Sequence, residues 1–170
     1  LDGRNALEEL MASRAEILDQ EAILAREVIE ELRPNLAAAG IPILDYSSLY
    51  TEQQEYLAGY FASTVHPVLT PLAVDAEHPF PFISNLGLNL AVQLKDSRKG
   101  RARFIRIKVP DNRPRWVALP GGAGFVPLEQ VITGNLEQVF PKSEVAGSFM
   151  FRVTRGAEGE QSTGLDLLDP

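Results

Sequence analysis

The sequence predicts an α+β chain: long N-terminal helices followed by a small, mainly antiparallel sheet with one packed helix. Three observations carry this reading. Up to about Val65, apolar residues recur at spacings of three, four or seven. From Leu88 onward they alternate with polar residues. Between the two regimes lies an apolar stretch from His66 to Leu86 in which Pro67, Pro71, Pro79 and Pro81 forbid a regular helix. Each proline fixes its own φ and pushes the residue before it into an extended conformation.

The first helix spans about Asp2 to Ala39, with Leu7, Leu10, Ile17, Leu24, Val28, Leu32 and Leu36 on one stripe. Asn5 and Glu8 have capping-box spacing. Such a helix reaches ~55 Å and cannot bury its stripe without partners. The heptad fails at Ser13-Arg14-Ala15, so packing in a helical bundle is favoured over a coiled coil. Pro34 should kink the helix, and Gly40 is placed to end it in a left-handed conformation before extended Ile41-Pro42-Ile43-Leu44.

A second helix begins at Thr51, which forms a capping-box pattern with Gln54. Tyr56, Leu57, Tyr60, Phe61 and Val65 mark its buried side, and Pro67 ends it. The connector that follows reads as rigid, irregular and buried. Phe80, Phe82, Ile83 and Leu86 are expected to fill the space where the second helix meets the sheet.

In the second half, Leu88, Leu90, Val92 and Leu94 alternate with polar or small residues as in a half-buried strand. A polar turn, Asp96 to Gly100, leads to a second strand with Ile105, Ile107 and Val109 inward and Arg106 and Lys108 outward. A third strand, Arg115 to Leu119, closes at Pro120-Gly121-Gly122. One amphipathic helix covers Leu128 to Phe140, and a last strand, Ser148 to Arg155, points Phe149, Phe151 and Val153 inward. The polar tail from Gly156 to Thr163 reads as mobile.

At 170 residues the chain is long enough for a real core, and no apolar run of about 18 residues suggests a membrane span. The absence of cysteine excludes disulfides and thiolate metal sites and fits a reducing cytoplasm. No basic-then-apolar leader is visible, and both ends read as cut from something longer. The net charge of −7 hides an asymmetry: residues 95–115 hold nine basic and two acidic residues, leaving −14 elsewhere. That split points to one polyanion-facing surface on an acidic body.

Few residues here suit catalysis. His66 and His78 both precede proline, and no third metal ligand stands at helical or hairpin spacing. Pro120-Gly121-Gly122-Ala123-Gly124 lacks the Lys-Ser/Thr pair of a phosphate loop and reads as a turn. The glutamates of the first helix are spaced like a solvated face. No catalytic, cofactor-binding or metal-ligating residue is therefore assigned. The basic hairpin is the one candidate: Arg106 and Lys108 on the outward strand face, near Lys95 and the turn residues Arg98, Lys99, Arg101 and Arg103, with Arg103, Arg106 and Lys108 as the possible polyanion contacts. Cations repeating along a strand every ~6.6 Å suit a linear chain of phosphates. The competing reading is a solvated face that guards an edge strand. Nucleic acid is a poor fit, because the chain is acidic and lacks interleaved exposed aromatics.

The run HPVLTPLAVDAEHPFPFISNLGLNLAV, from His66 to Val92, resembles the segment leading into the head domain of the histidine-phosphorylated polyphosphate kinases. Phe104 to Pro110, Arg115-Trp116-Val117, Phe125 to Ile132 and Phe151 to Arg155 resemble the same family in the same order. The resemblance implies that residues 1–40 end an N-terminal helical domain and residues 41–170 begin the head domain. It implies a parent that reversibly transfers the terminal phosphate of ATP to polyphosphate, with Mg2+ and a phosphohistidine, in the cytoplasm. It also implies homo-oligomer contacts through the head domain. Neither His66 nor His78 matches the family's phosphorylated histidine, so this stretch should supply structure, assembly contacts and polyanion contact rather than the catalytic centre. The alternative from a different class is a non-enzymatic polyanion-binding or protein-interaction module.

Overall fold

The structure is a computed structural model that describes residues 3–74, 82–95 and 102–154. The turn cations Arg98, Lys99 and Arg101, together with His78, Phe80 and the tail, lie outside the described residues. The chain divides into two compact units: Leu1–Tyr56 with Trp116–Pro127, and Leu57–Arg115 with Leu128–Pro170.

In the first unit, α1 (Gly3–Glu27) runs through a π-helical turn, Val28–Leu32, into α2 (Arg33–Ala38). Pro34 has no N–H to give to the preceding turn, and the wider turn accommodates that loss, with Arg33 N–H reaching the Val28 carbonyl. Gly40 adopts φ +81°. The N–H groups of Gly40 and Ile41 bond the carbonyls of Ala37 and Leu36 at 3.0 and 2.8 Å, so a Schellman motif ends the helix as expected. The leucines of the α1 stripe are exposed within this unit.

The third helix, α3 (Thr51–Tyr60), is capped one residue earlier than the sequence pattern suggests. Gln53, not Gln54, reaches back to the Tyr50 N–H at 3.0 Å, while Gln54 turns to the carbonyls of Tyr46 and Leu49.

A two-stranded sheet completes the first unit: β4 (Trp116–Ala118) pairs antiparallel with β5 (Phe125–Pro127), a strand the sequence reading missed. Phe125 N–H bonds Pro42 O at 2.9 Å and Leu44 N–H bonds Phe125 O at 2.8 Å, so the extended residues after Gly40 join this hairpin. Gly124 permits the approach: its φ is +130°, and a Cβ there would meet the Pro42 carbonyl at 2.6 Å.

In the second unit the sheet order is β1 (Leu72–Val74), β3 (Ala102–Lys108), β2 (Leu88–Lys95), β6 (Glu144–Arg152), with all pairs antiparallel. The predicted hairpin pairs Leu90 with Ile107 and Val92 with Ile105, and these side chains are buried on one face. Leu57, Phe61 and Val65, spaced by four, add to the core with Leu128, Val131, Ile132 and Leu136.

Four expectations need correcting. The connector is not irregular throughout, because its residues 72–74 form β1 on the outer edge of β3. Nor is it uniformly buried: Ile83 is 3% exposed, but Phe82 is 77% and Leu86 58% exposed. The alternation of an extended segment sends neighbouring side chains to opposite sides, so Ile83 enters the core and Phe82 faces away. The helix expected over residues 128–140 is broken into α4 (Leu128–Gly134) and α5 (Leu136–Val139). Glycine weakens the helix there, and the buried Asn135 side chain donates back to the Val131 carbonyl at 2.8 Å. The last strand starts at Glu144, and its Phe149 is 64% exposed rather than inward, because it pairs with Ala91 on the face opposite Val92.

Candidate functional site

Among the described residues the basic stretch does not form one free cationic face. Lys95, at the end of β2, pairs with Glu144 directly across on β6. Arg106 is half-buried, and its Nε donates to Oδ1 of fully buried Asn89 at 2.7 Å. Asn89 in turn donates to the Gly87 carbonyl at 2.7 Å. Arg113 Nε donates to the Thr64 carbonyl at 3.0 Å, tying the loop after β3 to the end of the helical segment. Arg115 holds Glu129 through both terminal nitrogens, with Nη2 to Oε1 at 2.7 Å. Partial burial pulls the Arg115 pKa below its ordinary value, though a guanidinium stays charged at any physiological pH.

Of the three residues singled out from the sequence, Lys108 and Arg106 share a face of β3, as strand alternation requires. Arg103 does not lie in the turn. It sits in β3 opposite Leu94, on the face shared with Ile105 and Ile107. Lys108 Nζ reaches Oδ2 of Asp111 at 2.8 Å, and that contact holds the Asp111 carboxyl below the usual aspartate pKa. His66, the one described histidine, is exposed and stacks its ring on Phe61 with centroids 5.7 Å apart.

Sequence reasoning missed Arg152 and the arrangement it joins. In the register Leu88 faces Arg152 and Asn89 faces Lys108, so Lys108 and Arg152 stand at one end of the sheet. With the turn Ser84–Gly87 and Arg115 they line a cleft of about 480 Å³ within the second unit. No sequence spacing links residues 108, 115 and 152: sheet pairing brings Lys108 and Arg152 together, while Arg115 is held by Glu129 and by the Leu128 N–H on its carbonyl. The acid–base repertoire is narrow. Among the described residues no three His, Cys, Asp or Glu side chains cluster as metal ligands. Among the described residues, too, no helix is long and apolar enough to cross a membrane.

Residues 52–168 match the family model described as the polyphosphate kinase middle domain. The chain is 45% identical over 170 residues to the polyphosphate kinase of Thermosynechococcus vestitus, covering 95% of this chain and 23% of that protein. It is 41% identical to the polyphosphate kinase of Parasynechococcus marenigrum, covering 94% and 24%. The crystal structure of polyphosphate kinase from Porphyromonas gingivalis superposes with a TM-score of 0.78 at 26% identity, covering 90% of this chain and 25% of that one. The chain thus spans about a quarter of the length of these relatives. With most of its residues matched in one unbroken stretch, the chain belongs to the polyphosphate kinase family, and residues 52–168 are its middle domain.

Proposed function

We propose that these residues are part of an ATP:polyphosphate phosphotransferase and serve it as scaffold, assembly surface and polyanion contact, the catalytic centre lying elsewhere in the parent. The unbroken match to the middle domain over residues 52–168 carries this reading. We end the N-terminal helical domain at residue 40, where the helix stops, and assign residues 41–170 to the head domain, while residues 41–56 pack in the same compact unit as that helix.

ATP, Mg2+ and a phosphohistidine belong to the parent, which we place in the cytoplasm as a homo-oligomer that joins through its head domain. The exposed apolar residues of the sheet, Phe104 and Phe149, suit such a contact. Arg103, Arg106 and Lys108 remain the candidate polyphosphate contacts. Lys108 has the best support, because its bond to an exposed aspartate is readily exchanged for a phosphate.

The test compares the full-length gene product with the 170-residue chain, each incubated with labelled ATP, Mg2+ and polyphosphate. The parent should lengthen the polymer and carry acid-labile label; the 170-residue chain should do neither. Acid-labile labelling of His66 or His78 in the short chain would overturn the assignment of the chemistry to other parts of the parent.

A further inference from the structure

The cleft at the end of the sheet has features that the open strand face lacks. Three cations, Lys108, Arg115 and Arg152, and one carboxylate, Asp111, line it, and Glu129 behind the lining pairs with Arg115. Arg115 is held in position by Glu129, a side chain only 11% exposed, so its guanidinium is oriented before any ligand arrives. Among the described residues no carboxylate pairs with Arg152. Lys108 pairs with the exposed Asp111, a contact worth little in water.

The wall of this cleft is fixed from two sides. Gly87 N–H closes the turn onto Ser84 O at 3.1 Å, and Leu86 N–H bonds Val153 O at 2.8 Å, next to Arg152. From beneath, buried Asn89 carries the chain of bonds from Arg106 to the Gly87 carbonyl. The turn also stores strain: Leu86 sits at φ +59°, a conformation that bulky side chains avoid. Its side chain is mostly exposed, so burial of that side chain does not sustain the strain. Strained backbone held in place by surrounding bonds is characteristic of binding sites.

We propose that this cleft binds phosphate-type oxyanions, with Arg152 and Lys108 supplying the charge and the donors, and with Arg115, its two terminal nitrogens held by Glu129, forming part of the wall. The proposal deepens, and rests on, the reading that this domain contacts polyphosphate, and it moves that contact from the Arg103–Arg106 strand to the sheet end. A phosphate offers three accepting oxygens around one centre, which suits guanidinium and ammonium groups converging from different strands. The cleft, at about 480 Å³, is much larger than the ~30 Å³ share of a water molecule, so it has room for more than one phosphoryl unit.

The experiment is a calorimetric titration of the full 170-residue chain with orthophosphate, tripolyphosphate and long-chain polyphosphate, at low and high salt. Arg152→Gln and Lys108→Gln should each weaken binding about fivefold, and Arg152→Lys should restore part of the loss. Lys142→Gln, an exposed cation outside the cleft lining, should leave affinity unchanged. Thermal midpoints of all variants check that the fold persists, and Arg152→Gln, the exposed change of the two, is the variant least able to disturb it. Tripolyphosphate bound as tightly per site as the long polymer marks the cleft as a site for short condensed phosphates; binding of the polymer alone marks it as a chain contact, and either supports the proposal. Polyphosphate binding that survives Arg152→Gln and Lys108→Gln but falls with Arg103→Gln overturns the cleft and keeps the polyphosphate reading. No binding of any of the three by the wild type overturns both.

Discussion

Arg106 Nε and Asn89 Oδ1 lie 2.7 Å apart, joining β3 to a fully buried asparagine on β2. A cation that the sequence marks as an outward polyanion contact therefore also satisfies a polar group in the interior. Arg106→Ala would leave the Asn89 carbonyl oxygen short of a donor, at a cost of about 1–2 kcal/mol. Arg103→Ala should stay within about 0.5 kcal/mol, as an exposed change does. Urea unfolding of the two variants separates these roles, and equal midpoints would show that the Arg106–Asn89 bond contributes nothing.

The connector offers an internal comparison between neighbours. Ile83→Ala removes a side chain that is 3% exposed and should cost about 2–4 kcal/mol. Phe82→Ala removes a larger side chain that is 77% exposed, and should cost less than about 1 kcal/mol. Thermal denaturation decides; a larger loss for Phe82→Ala would place the wrong face of this segment in the core.

Gly124→Ala should destabilise the first unit by about 2 kcal/mol or more, since the new Cβ would press on the Pro42 carbonyl from a left-handed backbone position. Gly121 also has positive φ, at +67°, but nothing lies within 4 Å of a Cβ there. Gly121→Ala should therefore cost only its local strain, about 1 kcal/mol. Amide exchange at Leu44 and Phe125, whose N–H groups bond across this contact, reports the difference directly.

The Asp111 carboxyl should titrate below an ordinary aspartate, because Lys108 donates to it and adds a nearby positive charge. A carboxyl whose pKa is lowered on folding contributes stability above the unfolded value. That contribution disappears as pH falls through the folded value. Carboxyl carbon shifts followed by NMR from neutral to acid pH should show the low midpoint, and Lys108→Gln should return it toward the ordinary range. An unchanged midpoint in that variant would show that the pair does not persist in solution.

Much of the architecture was legible along the chain because its causes are local. Gly40 after a run of helix formers marks the left-handed stop, and the alternation from Leu88 and through Ile105 and Ile107 marks two strands and their buried face. The same locality explains the near misses: Gln53 and Gln54 both satisfy a cap pattern, and only the position of the first helical turn chooses between them. What spacing could not show was which distant segments pair. Leu72–Val74 is too short to announce a strand and exists as one only because the edge of β3 offers it hydrogen bonds. Phe149 has the apolar character of a core residue, yet the register with Ala91 turns it outward.

The charge count of residues 95–115 was likewise determined by sequence alone, whereas its meaning was decided by tertiary structure. Asn89, Asp111 and Glu129 engage Arg106, Lys108 and Arg115, three of the cations that the bare count treats as one surface. Arg152, outside that stretch, arrives beside Lys108 through strand pairing. Charge is a property of composition, but a binding site needs donors converging on one point. That convergence comes from long-range pairing, which no local period encodes.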